Sequence, residues 1–130
     1  MSNIPTHTEM KHRFFCWMDN VLSGDLPPTI EAFNFNLYEG EGEWHVQIIG
    51  AGSFSTEDEE WPCDEVFTTG EDVFVVKHAD AGRTWKKALA FFISLTRAYL
   101  LEGKYAVVLK SRKGVGIGFV DGDLKLLHVA

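Results

Sequence analysis

Phe33-Asn34-Phe35-Asn36-Leu37-Tyr38-Glu39-Gly40-Glu41-Gly42-Glu43-Trp44-His45-Val46-Gln47-Ile48 is the stretch whose reading decides the fold. Phe33, Phe35 and Leu37 alternate with Asn34 and Asn36, and Trp44, Val46 and Ile48 alternate with His45 and Gln47. Successive side chains of a strand point to opposite faces, so a period of two predicts two half-buried strands. The polar, glycine-rich Glu39-Gly40-Glu41-Gly42 between them reads as the loop of a hairpin. With those four residues as the loop, Tyr38 faces Glu43, Leu37 faces Trp44, Phe35 faces Val46 and Phe33 faces Ile48. On the opposite face Asn36 meets His45 and Asn34 meets Gln47. A one-residue slip would mix the faces, whereas this register keeps one side apolar and the other polar.

Working outward, Thr6-His7-Thr8-Glu9 has capping-box spacing, and Met10, Phe14, Trp17, Met18, Val21 and Leu22 follow at helical intervals. Gly24 and Pro27-Pro28 end that helix, which is expected over about residues 7–23. Residues 51–72 lose periodicity and read as a long loop. Val73 to Val76 is a short apolar strand. From Thr84, the residues Trp85, Ala88, Leu89, Phe92, Ile93, Thr96, Tyr99 and Leu100 mark one inward helical face closed by Gly103. Tyr105 to Leu109 reads as a buried strand. Val115–Val120 and Leu124–Val129 read as a hairpin around Asp121-Gly122, a two-residue turn signal. The glycines at 114, 116 and 118 leave one face of that strand bare, open to a close helix or an aromatic ring. The expected order is α-β-β-loop-β-α-β-β-β. It describes an α+β fold, a mostly antiparallel sheet of about six strands with two helices packed on one face.

A chain of 130 residues has the size of one domain. Neither flank of the 51–72 loop could build its own core, so 1–130 is expected to be a single domain. Hydrophobic residues make up 45% of the chain, enough for a core, and disorder is not expected. No apolar run approaches the roughly 18 residues of a membrane span. The first residues lack the apolar core of a signal peptide, so a cytoplasmic protein is expected. Cys16, within an apolar helical run, reads as a buried small hydrophobe. Cys16 and Cys63 together make neither a disulfide framework nor a four-ligand metal site.

Charge is divided along the chain. Residues 1–72 carry 15 Asp/Glu against Lys11 and Arg13, a net −13, and residues 73–130 carry 10 Lys/Arg against four acids, a net +6. Such a division bears on association and partner choice. The negative field disfavours nucleic acid, although Arg83–Lys87 and Lys110–Lys113 are basic. Gly114–Gly118 is followed by a strand where a dinucleotide-binding loop needs a helix, so no nucleotide cofactor is expected. Ser53 and Ser55 lack a nucleophile elbow, and Cys63 beside Asp64 has the wrong electrostatics for a reactive thiolate. No spacing marks catalysis, and no cofactor or metal is implied.

The first candidate site is Glu57-Asp58-Glu59-Glu60-Trp61-Pro62-Cys63-Asp64-Glu65, six carboxylates in nine residues. Adjacent carboxylates with no interrupting glycine do not make a calcium loop. Two roles for the tryptophan are open: an interface anchor, or a pin tucked under the loop. The functional expectation takes the first, with Glu57, Asp58, Glu59, Glu60, Trp61, Asp64 and Glu65 docking on a basic protein partner. The alternative is a ligand-binding or enzymatic face made of Asn34, Asn36, His45 and Gln47. A homo-oligomer joining the acidic half of one copy to the basic half of another is the third arrangement.

Phe33-Asn34-Phe35-Asn36-Leu37-Tyr38-Glu39, Trp44 and Trp61-Pro62-Cys63-Asp64-Glu65-Val66-Phe67 together resemble a pattern in a family of small, uncharacterised bacterial proteins. In size and charge the chain also resembles the acidic immunity proteins that neutralise bacterial toxins. That resemblance implies a non-enzymatic protein whose acidic loop covers a basic toxin, and it brings no catalytic residues.

Overall fold

The central hairpin forms between β1 (Ala32–Gly40) and β2 (Glu43–Ala51), but its register differs from the one expected. In the computed structural model, which describes residues 7–130, Gly40 pairs with Glu43, Tyr38 with His45, Leu37 with Val46 and Phe35 with Ile48. The loop is therefore Glu41-Gly42, two residues and not four. Gly42 takes φ 71°, a conformation that glycine adopts without strain. Every expected pair is displaced by two residues. An even displacement returns each side chain to its own face, so alternation alone could not separate the two registers.

Four further strands complete the sheet: β3 (Glu65–Thr68), β4 (Phe74–Lys77), β5 (Gly114–Phe119) and β6 (Lys125–Val129). Their order is β3-β2-β1-β5-β6, with β4 sharing the outer edge of β2. β3 pairs along Ile49–Ala51 and β4 along Glu43–Val46. All pairings are antiparallel except β1 with β5, which run parallel from Ala32–Gly114 to Leu37–Phe119. The helices among the described residues are α1 (His7–Leu22), α2 (His78–Ala81), α3 (Trp85–Glu102) and α4 (Ala106–Lys110). The fold is α+β with a mostly antiparallel six-stranded sheet. The proposed cap Thr6 lies outside the described residues.

Three local expectations are corrected. Residues 105–109 fall in a helical turn, not a strand: Ala106 and Leu109 are buried three apart while Val107 is 70% exposed. A short apolar run cannot distinguish the two conformations by periodicity. The supposed 51–72 loop contains β3. The last hairpin does not turn tightly at Asp121-Gly122; β5 ends at Phe119 and β6 begins at Lys125.

The main core lies between the helices and one sheet face. Met10, Phe14 and Met18 of α1 and Ala88, Phe92, Leu95 and Tyr99 of α3 cover Phe33, Phe35, Leu37, Val46, Ile48, Val115 and Ile117. Thr84 caps α3, its side chain accepting from the Lys87 amide at 3.3 Å. Tyr99 ties three helices together. Its hydroxyl donates to Asp19 Oδ1 at 2.7 Å and accepts from the Tyr105 amide, just before α4, at 3.1 Å. Cys16 is exposed, off the Met10–Phe14–Met18 face, with Sγ 3.5 Å from His12 Nε2.

Candidate functional site

The acidic segment crosses the sheet face opposite the helices. That face is bare along β5, and aromatic rings fill it: a Cβ on Gly114 would overlap the Phe54 ring, and one on Gly116 would lie 3.1 Å from Trp61 Cζ2. Phe54 and Trp61 meet edge to face at 5.2 Å. With Ala32, Ala51, Leu124 and Leu126 they form a second, smaller apolar cluster. Trp61 is 3% exposed, so it is the pin beneath the loop and not a projecting anchor. The physical reason lies in the glycines, whose missing side chains leave a trough that close packing requires an indole-sized group to fill.

Pinning one ring fixes the carboxylates around it. Trp61–Cys63 form a short 3₁₀ turn, the Glu60 amide donates to Asp58 Oδ1 at 2.9 Å, and the Gly52 amide donates to the Asp64 carbonyl at 2.8 Å. Glu57, Asp58, Glu59, Glu60, Asp64 and Glu65 are all exposed. The Lys/Arg–carboxylate pairs among the described residues are Lys11–Glu102 at 2.8 Å and Lys113–Glu31 at 3.2 Å, neither of which uses this segment. Among the described residues, no lysine or arginine forms an ion pair with a carboxylate of this segment.

The polar face of the hairpin is largely occupied with itself. Asn36 Nδ2 donates to Gln47 Oε1 at 3.3 Å, and Gln47 Nε2 donates to the Gly70 carbonyl at 3.1 Å. His45 Nε2 sits 2.8 Å from Glu43 Oε1, and its ring packs on Tyr38 at 4.9 Å. Asn34 is buried, and its Oδ1 has no hydrogen-bond partner among the described residues. The structure joins part of this face to the acidic loop: Asn34 and Asn36 line a cleft of about 140 Å³ with Glu59 and Cys63. His45 and Gln47 do not line it. Among the described residues no group of three or more His, Cys, Asp or Glu is placed to hold a metal ion. No described helix is long and apolar enough to cross a membrane.

One surface feature was missed by reading the sequence. Trp85, assigned there to the inward face of its helix, is 55% exposed. It is the first residue of α3, one turn before the buried Ala88, and overhangs the end of the sheet. Helical spacing assigns a side chain to a face, but not to a position beyond the core's edge. Trp85, Trp44, Tyr38 and Phe119 line a cleft of about 420 Å³ with Glu39, Val120 and Asp121. The two tryptophans have thus exchanged the expected roles: the one among acids is buried, and the one assigned to the core is open. No family model, no curated protein and no solved structure matches this chain, so its function is read from its own residues.

Proposed function

We propose that the chain is a non-enzymatic protein-docking module whose acidic loop occludes a positively charged surface of a partner protein. One observation carries this reading: Glu57, Asp58, Glu59, Glu60, Asp64 and Glu65 are exposed and make no ion pair with a lysine or arginine among the described residues, on a segment held by a buried indole. Exposed like charges steer an oppositely charged protein into encounter, and a fixed loop loses little freedom on docking. Lys and Arg on the partner meet the carboxylates, while Trp61 holds the loop in shape. Neutralisation of a basic toxin is the use to which the reading extends.

The test is association kinetics with a co-purifying cationic protein, measured for the chain and for its E57Q/D58N/E59Q/E60Q variant. At low salt the variant is expected to associate at least about tenfold more slowly, with the gap closing as salt is raised. Equal rates at low salt would remove the mechanism.

A second reading, a small-molecule site, is favoured by the unpartnered, buried Asn34 Oδ1 beside the 140 Å³ cleft. A buried polar atom is satisfied by gaining a donor. In a Cys16→Ser background, a polar ligand seated there is expected to slow alkylation of Cys63. Undiminished alkylation across a panel of such ligands dismisses it.

A further inference from the structure

The C-terminal ends of the parallel strands β1 and β5 meet the start of α3 at the aromatic cleft, which adjoins the smaller cleft beside the acidic loop through Phe119, Val120 and Gly122. Trp44 and Trp85 stand at 73° and 81° to the Phe119 ring, with centroids 5.4 and 6.4 Å from it. Trp44 is the fixed wall. It is 3% exposed, its Nε1 donates to the Gly82 carbonyl at 2.7 Å, and its ring packs on His78 at 4.5 Å. Trp85 is the open wall, and Val120 beside it is 56% exposed.

The charged residues lining this cleft are both acids, Glu39 and Asp121. Glu39 and Trp44 are register partners, so carboxylate and indole leave the same face of the sheet. Glu39 Oε2 lies 2.9 Å from His78 Nε2, while Asp121 makes no ion pair among the described residues. Lys86 Nζ is 5.7 Å from the Trp85 centroid; Lys86 and Lys125 line the adjoining groove along α3, which shares Trp85, Asp121 and Gly122 with the cleft, but neither lysine lines the cleft.

Aromatic faces carry negative potential, and carboxylates at their rim add to it. An anion is repelled there, and a neutral apolar ligand gains nothing from the acids. A cation with a greasy or planar surface uses both. We infer that this cleft binds an organic cation, an alkylammonium or guanidinium head held against Trp85 and Phe119 with its charge met by Asp121 and Glu39. A volume of about 420 Å³ holds one such head with its stem. The carboxylates concerned are distinct from Glu57–Glu60, Asp64 and Glu65, although the cleft shares Phe119, Val120 and Gly122 with the one that Glu59 and Cys63 line.

Such a head belongs either to a free small molecule or to a protein side chain, and titration of the intact chain separates the sources. The probes are choline for the first, and N-acetyl-arginine amide and N-acetyl-trimethyllysine amide for the second. The neutral isostere of choline, 3,3-dimethylbutan-1-ol, is the control. Heteronuclear NMR is expected to show saturable shifts of the Trp85 indole N–H, with a Kd on the order of 1 mM for the best cation. Calorimetry is expected to show roughly tenfold weaker binding in both W85A and D121N. Both positions are exposed, and circular dichroism checks their folding. Tighter binding of choline assigns a free cation, and tighter binding of the amino-acid amides assigns a side chain. Equal binding of the neutral isostere, no saturable response to any cation, or unchanged affinity in both variants overturns the inference.

Discussion

Trp61→Ala is expected to lower the unfolding free energy by about 3–5 kcal/mol, read as a fall in the urea midpoint at unchanged slope. The indole is buried in a cluster whose other fully covered members are Ala32 and Ala51. Small neighbours on two strands cannot move inward to refill the space, and Gly116 beneath it offers no side chain. Loss of the ring also frees the chain from Gly52 to Asp64. Amide exchange there is expected to accelerate in native conditions, while β1 and β2 keep their protection. The proposed docking through the acidic loop is expected to weaken in parallel, although no charge has changed. Trp61→Phe keeps an aromatic filler and is expected to retain most of both properties. A destabilisation below about 1 kcal/mol, with unaltered exchange in the loop, would show that the indole is not what holds it.

Tyr99→Phe is the second large effect, about 1.5–3 kcal/mol, because one deletion breaks a hydrogen bond to a carboxylate and strips the Tyr105 amide of its acceptor. Its pH signature is distinctive. Burial first, and the bond to Asp19 second, push the Tyr99 hydroxyl well above the ordinary tyrosine range. The unfolded chain therefore gives up this proton at lower pH than the folded one. The stabilisation is complete below the unfolded value of about 10 and is lost as pH rises toward the folded one. Urea midpoints taken on either side of that value should decline more steeply for the parent chain than for Tyr99→Phe. Parallel declines would reject the assignment.

Alternation and helical spacing located β1, β2, β4, β5, α1 and α3, each of which buries an apolar face; β6 was located as the return strand of the last hairpin, although none of its residues is fully buried. Register was less legible, since shifts of two residues preserve every face and the choice falls to the turn at Gly42. Tyr105–Leu109 failed because five apolar residues fit a strand and a helical turn equally well. β3 was missed because Glu65–Thr68 is only four residues long and mostly exposed, too short to show a period, and is a strand by virtue of pairing with Ile49–Ala51. At the acidic segment, composition identified the exposed carboxylates. The fate of Trp61 depended on Gly114 and Gly116, some fifty residues later, a partnership that only the closed sheet creates. Trp85 was hidden by the end of its helix passing the limit of the core.

The parallel pairing in the middle of the sheet also sets an order of assembly during synthesis. β2 emerges directly after β1 and can close on it at once, but β5 is made only after β4 and three helices. Until then the inner edge of β1 offers free amides and carbonyls to any extended chain nearby, as arrested or truncated products would do permanently. Closing so distant a contact is slow compared with forming helices, so the unpaired edge of β1 is the segment most exposed to aggregation before β5 docks.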